Sequence, residues 1–143
     1  MTQATMRTTS ALDYIHVADA MHPGIFSCPP EASLRTVAHM MAAYKIHCVA
    51  VFTDPEDGDG RLWGIVSDLD LVGGLASDPD DRTAGGTAGS PLVTTAPDET
   101  LERAAQLMRE YGTAHLVVVD PRTDRPLGVL STLDVAKALA GIA

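Results

Sequence analysis

A chain of 143 residues, 45% hydrophobic and 20% charged, has the length and composition of a globular domain with its own core. Its net charge of −9, with ten scattered Lys and Arg, argues against a nucleic-acid binder, which needs clustered cations. No apolar run reaches the roughly 18 residues of a membrane span, and the opening MTQATMRTTSALDY lacks the apolar core of a signal peptide, so a cytoplasmic protein with no membrane partner is expected.

Residues 1–14 are polar and aperiodic and read as a flexible tail. Val17 to Met21 forms one helical turn, stopped by Pro23-Gly24. Ile25 to Cys28 is a short strand ended by Pro29-Pro30. Ser33 then caps a helix whose apolar stripe is Leu34, Val37, Met41 and Tyr44. Cys48 to Phe52 is a strand, Asp54 to Gly60 a hairpin of turn formers, and Arg61 to Val66 the returning strand. A helix follows from Ser67 to about Ala76. The small, polar, glycine-rich stretch from Ser77 to Ser90 reads as a linker with room for a packed turn. Leu92 to Thr95 is a strand, and Thr100 caps a helix carrying Leu101, Ala104, Met108 and Tyr111. His115 to Val119 is a strand, Asp120 to Arg125 a hairpin, Pro126 to Leu130 the return, and Thr132 to Leu139 the last helix. Cys28 and Cys48 have neither Cys-x-x-Cys nor Cys/His ligand spacing, so no metal is expected and both read as free, small apolar residues.

The chain uses one unit twice. A shift of 67 superposes Pro30 on Pro97, Leu34 on Leu101, Met41 on Met108 and Tyr44 on Tyr111. A shift of 64 superposes Gly64-Ile-Val-Ser-Asp-Leu-Asp70 on Gly128-Val-Leu-Ser-Thr-Leu-Asp134. The difference falls in the hairpins, where length changes cost little. The fold class is therefore α/β (α+β), with two β-α-β-β-α repeats packed as one pseudo-twofold pair. The boundaries are a tail over 1–14, a first repeat over 15–77, a linker over 78–90 and a second repeat over 91–143.

Within each Gly-h-h-Ser-x-x-Asp stretch, the branched apolar residues suit a buried strand and the Ser caps the next helix. The Asp stands at the third helical position, where the helix dipole favours a carboxylate. Each junction thus offers a hydroxyl, a carboxylate and first-turn amides. The same spacing is also a variant of the capping box, which needs no ligand.

This element order, with that junction, resembles the CBS domain, named for cystathionine β-synthase. Two in tandem resemble a CBS pair, or Bateman module. Val17-x-Asp-x-Met21, Pro30-x-x-Ser-Leu34 and His115-Leu-Val-Val-Val-Asp120 also match the family's patterns. The likeness spans roughly 15–141 and leaves no catalytic domain to regulate in cis. It departs where the family's strand motif usually has Pro, here Ala50 and Val117, and within Thr87 to Ser90.

The resemblance implies clefts for adenosine ligands: AMP, ADP, ATP or S-adenosylmethionine, none of them an obligatory cofactor. The Asp would accept from the ribose hydroxyls, and the Ser hydroxyl and helix amides would meet phosphate. By the family's crossover, Ala18, Pro23, Ile46, His47 and Val129 would complete the cleft of Ser131 and Asp134. Ile65, Thr113, Ala114 and the turn near Ser90 to Leu92 would complete the cleft of Ser67 and Asp70. A phosphorylated ligand should prefer the Asp134 cleft, because Asp68 adds a second carboxylate beside Asp70 and His47 a possible imidazolium beside Asp134. His47 also reads as an ordinary strand-edge histidine, and His115 as core packing or as a basic residue that the family often places there.

No Ser-His, Cys-His or metal constellation is present at local spacing, so the expected protein is not an enzyme but a sensor acting on a partner protein in trans. The alternative is a dimerisation or docking scaffold with both clefts empty. A homodimer is expected either way, because Leu69, Leu71, Val72 and Leu75, with Leu133, Val135, Ala136 and Leu139, crowd apolar surface onto short helices.

Overall fold

The computed structural model describes residues 11–52, 62–74, 78–88 and 92–141, and the statements below concern these. The expected hairpin over Asp54 to Gly60, the first ten residues and the helix end at Leu75 and Ala76 lie outside them. The chain forms two compact units, one of residues 25–92 and one that joins the segment up to Gly24 to everything from Val93 onward.

In the 25–92 unit, branched apolar residues make a three-stranded sheet in the order β2-β3-β4. The strands are β2 (Ser27–Cys28), β3 (Cys48–Phe52) and β4 (Leu62–Ser67). Helix α2 (Leu34–Tyr44) follows β2, and α3 (Asp68–Gly73) follows β4. A further short helix, α4 (Ala84–Thr87), lies inside the glycine-rich stretch that reads as a linker. The core is built from Leu34, Val37 and Met41 of α2 with Val49, Val51, Val66, Cys28 and Ala84. Each fully buried Val or Leu contributes about 1.5–3 kcal/mol.

The other unit repeats this plan. Its sheet runs β1-β7-β6-β5, from β1 (His22–Pro23), β7 (Pro126–Ser131), β6 (His115–Val119) and β5 (Thr94–Thr95). Its helices are α1 (Val17–Ala20), α5 (Leu101–Tyr111) and α6 (Thr132–Leu139). The 67-residue shift holds in the registers. Ser27 pairs Ala50 as Thr94 pairs Val117, and an irregularity at Val51/Phe52 recurs at Val118/Val119.

The shift also explains α4. Val17 and Ala18 of α1 donate to the carbonyls of Glu99 and Pro97, while Ala84 and Gly85 of α4 donate to Ala32 and Pro30. Each lead-in helix thus docks just ahead of the long helix of its unit. Leu12 is buried in the core with Val17, Leu101 and Met108, so the flexible tail expected over 1–14 is corrected at a short 3-10 turn, Ala11–Tyr14. The reason is that Leu12 and Ile15 bring an apolar face to a sheet and helices that need covering.

Ser33 and Thr100 cap as expected, accepting from the amides of Thr36 and Arg103 at 3.1 Å each. Tyr44, read as part of the apolar stripe, is not buried with the rest of it. It is 57% exposed and stacks on Phe26 with ring centroids 4.5 Å apart.

Both long helices end alike. The amides of Lys45 and Ile46 reach the Met41 carbonyl, and those of Gly112 and Thr113 reach Met108. This close needs a left-handed residue, at φ 55° for Lys45 and 61° for Gly112. Glycine adopts that region freely, whereas a Cβ there costs about 1 kcal/mol. Lys45→Gly should therefore stabilise the protein by up to about 1 kcal/mol. Thermal melts should show a rise of a few degrees, and Gly112→Lys a fall.

Candidate functional site

Both Ser-x-x-Asp junctions form full capping boxes. The Ser67 hydroxyl accepts from the Asp70 amide at 3.2 Å, and Asp70 Oδ2 accepts from the Ser67 amide at 2.8 Å. In the other unit, Ser131 Oγ accepts from the Asp134 amide at 3.2 Å, and Asp134 Oδ2 from the Ser131 amide at 2.9 Å. The lead-in to the neighbouring strand engages another amide: Asp68 donates to the His47 carbonyl at 2.9 Å, and Thr132 to that of Ala114 at 3.0 Å. Among the described residues, the first helical turn therefore has fewer free amides than expected, leaving those of Leu69 and Leu133 at the second position.

The junctions differ in three ways. First, the Ser67 hydroxyl donates to Asp70 Oδ2 at 3.0 Å, whereas among the described residues no acceptor engages the Ser131 hydroxyl. Second, His47 Nδ1 lies 3.0 Å from Asp68 Oδ2. The imidazole expected to help the Asp134 cleft thus lies against Asp68, the carboxylate expected to burden the Asp70 cleft. Third, His22 Nδ1 lies 3.0 Å from Asp134 Oδ1 and 3.2 Å from Oδ2. Sequence reading missed His22, because its partner is 112 residues away.

Asp134 has a side chain only 2% exposed, while that of His22 is 68% exposed. A buried carboxylate is tolerable only with donors around it. Here they are the Ser131 amide, His22 and the positive end of α6. His22 reaches it because β1 pairs with β7, with His22 opposite Val129 and Pro23 opposite Gly128. Gly128 permits that approach: a Cβ there would run into the His22 carbonyl oxygen.

A cavity of about 330 Å³ opens in the same unit, lined by Ile15, Asp19, Ala20, Asp134, Lys137, Ala138 and Gly141. That is within the range of small-molecule pockets. Of the expected site residues, Ser131, Asp134, Val129, Pro23 and Ala18 belong to this unit, as do Thr113 and Ala114. Ser67, Asp70, Ile65, Ile46 and His47 belong to the 25–92 unit. The Thr113 hydroxyl donates to the His115 carbonyl at 3.0 Å, so it is committed locally, and His115 is buried. Ser90 and Pro91 of the expected turn lie outside the described residues.

Among the described residues no group of His, Cys, Asp and Glu could hold a metal ion, and no helix is long and apolar enough to cross a membrane. Burial pushes the Cys48 thiol up to about 12, with the Asp68 charge adding, and burial likewise raises Cys28.

The chain belongs to the CBS domain family, whose model matches residues 17–77 and again 88–141. Its fold is that of a CBS domain protein from Pyrobaculum aerophilum complexed with AMP (27% identity, TM-score 0.74, 89% of this chain and 99% of that one). The CBS domain pair of protein MJ0100, complexed with 5′-methylthioadenosine and S-adenosyl-L-methionine, is similar at 20% identity and TM-score 0.76, over 88% of this chain and 96% of that one. A CBS-domain protein from Agrobacterium tumefaciens is similar at 23% identity and TM-score 0.75, over 86% and 92%. No curated protein matches the chain.

Only the thiolate attacks a disulfide reagent, and at pH 8 a thiol titrating near 12 is ionised in roughly one molecule in ten thousand. Native Cys48 should therefore resist an aromatic disulfide until the protein unfolds. Absorbance traces at pH 7, 8 and 9 should show its rate rising about tenfold per unit.

Proposed function

We propose that this chain is a regulatory module that binds an adenosine nucleotide and acts in trans on a partner protein in the cytoplasm, with no catalysis of its own. The observation that carries this reading is Asp134: a buried carboxylate in a capping box, lining a cavity of about 330 Å³. Its oxygens suit the two ribose hydroxyls. Ser131, whose hydroxyl proton meets no acceptor among the described residues, suits phosphate, and Pro23, Val129 and Ala18 of the same unit are apolar enough for the base, though of these site residues Asp134 alone lines the cavity. The AMP bound by the Pyrobaculum aerophilum protein and the adenosine compounds bound by the MJ0100 pair support this ligand class. Ser67, Asp70 and Ile65 would form the weaker site, because the Ser67 hydroxyl is already spent on Asp70.

Calorimetric titration of AMP, ADP, ATP and S-adenosylmethionine tests the reading. Asp134→Ala removes acceptors for hydrogen bonds worth roughly 1.5–3 kcal/mol each, so AMP affinity should fall about tenfold or more. Asp70→Ala should cost clearly less. The reverse ranking would overturn the site assignment. A second reading, a scaffold with empty clefts, is favoured by one observation: each carboxylate already has its Oδ2 held inside its own box. Under it, no adenosine compound at millimolar concentration would raise the melting temperature.

The module also forms a homodimer in this reading. Leu69 and Val72 of α3 are 75% and 61% exposed, and Leu133 and Leu139 of α6 are 53% and 63% exposed. Apolar side chains standing out on junction helices suit the surface of a second copy. Light scattering should give twice the chain mass at micromolar concentration, and Leu69→Glu with Leu133→Glu should give a monomer.

A further inference from the structure

We propose that His22 is a gate on the Asp134 junction: its imidazole occupies the carboxylate oxygens that the ribose hydroxyls would take, and a ligand enters only when His22 swings away. The proposal rests on the adenosine reading and adds what controls access to that site.

The geometry carries it. An ionised carboxylate only accepts, so His22 Nδ1 donates, and it does so across both oxygens at 3.0 and 3.2 Å. The Ser131 amide holds Oδ2 as well. The imidazole thus stands where a cis-diol would bring its two O–H donors. The Asp134 side chain is 2% exposed with His22 in place, so a diol reaching for both oxygens has to displace the imidazole. His22 itself is 68% exposed, on a two-residue strand at the sheet edge, so its ring can rotate into solvent without opening the core. Gly128 sets the closed position by letting the His22 backbone approach β7.

The other junction has no counterpart of this device in the sequence. The 67-residue shift that aligns α1 with α4 aligns His22 with Gly89, a residue with no side chain to donate from. Among the described residues, Asp70 bonds through Oδ2 alone and leaves Oδ1 to a ligand. The two sites therefore differ in access as well as in affinity.

The test is AMP titration into wild type, His22→Ala, His22→Gln, Asp134→Asn and the His22→Ala/Asp134→Asn double variant. His22→Ala should bind AMP about three- to tenfold more tightly than wild type, since no internal donor has to be displaced. His22→Gln, which keeps a weaker N–H donor, should fall between them and guards against a misfolded alanine variant. The gain should vanish in the Asp134→Asn background, as the coupling of a contacting pair requires. If AMP binds wild type and neither His22 variant binds more tightly, the gate is refuted while the adenosine reading stands. A gain that persists with Asp134→Asn also refutes the gate, because His22 would then act elsewhere. If neither wild type nor His22→Ala binds AMP at millimolar concentration, the adenosine reading falls and the gate falls with it.

Discussion

The reciprocal bond pair at the strand-to-helix junctions is the constraint on which the rest depends. A Ser hydroxyl takes the third helical amide, and the Asp of that residue takes the Ser amide. This closes two orphan groups at once and fixes the angle at which α6 leaves β7. It also makes a buried carboxylate tolerable, because donors replace the water that Asp134 has lost. A nucleotide site built here needs no special residue, only an oxygen that the box leaves over.

What is left over differs between the units, and the difference lies in side chains that share no local pattern. Ser67 donates into its own box, His47 spends its imidazole on Asp68, and His22 lies across Asp134. Three hydrogen bonds thus turn two near-identical motifs into chemically distinct junctions.

The fold was largely legible in the sequence because its signals are local or periodic. Ser33 and Thr100 cap, the Leu34–Val37–Met41 stripe packs, and the Gly-h-h-Ser-x-x-Asp echo marks both junctions. Among what was not legible, three features show why. The α4 helix has the sequence Ala-Gly-Gly-Thr, a poor helix former, and exists because Ala84 and Gly85 find carbonyls at Ala32 and Pro30. Tyr44 continues the apolar stripe in sequence but turns outward to meet Phe26. His22 meets Asp134 only through strand pairing, which no window of sequence around either residue contains. Tertiary bonds decided all three.

The placement of the lead-in helices has a consequence for how the Asp134 site responds. The 25–92 unit is contiguous, so it can complete its sheet and its α4 contacts without distant chain. The other unit needs the segment up to Gly24 to return across that whole stretch and dock on α5 and β7. Such non-local closure forms late and costs loop entropy. Its holding contacts among the described residues include Leu12, Val17, Ile15, Ala20 and Met21 in or against the core, the α1 bonds to Pro97 and Glu99, amide bonds from Leu101 to Ile15 and from Gly24 to Leu127, and a two-residue strand. That same segment carries His22 and lines the cavity through Ile15, Asp19 and Ala20. On the proposed reading, occupancy of the Asp134 site and docking of the N-terminal segment are linked equilibria. If a ligand displaces His22 as proposed, it removes one tie holding the segment and would add its own contacts to the cavity wall, and the balance of the two would set how far the segment responds.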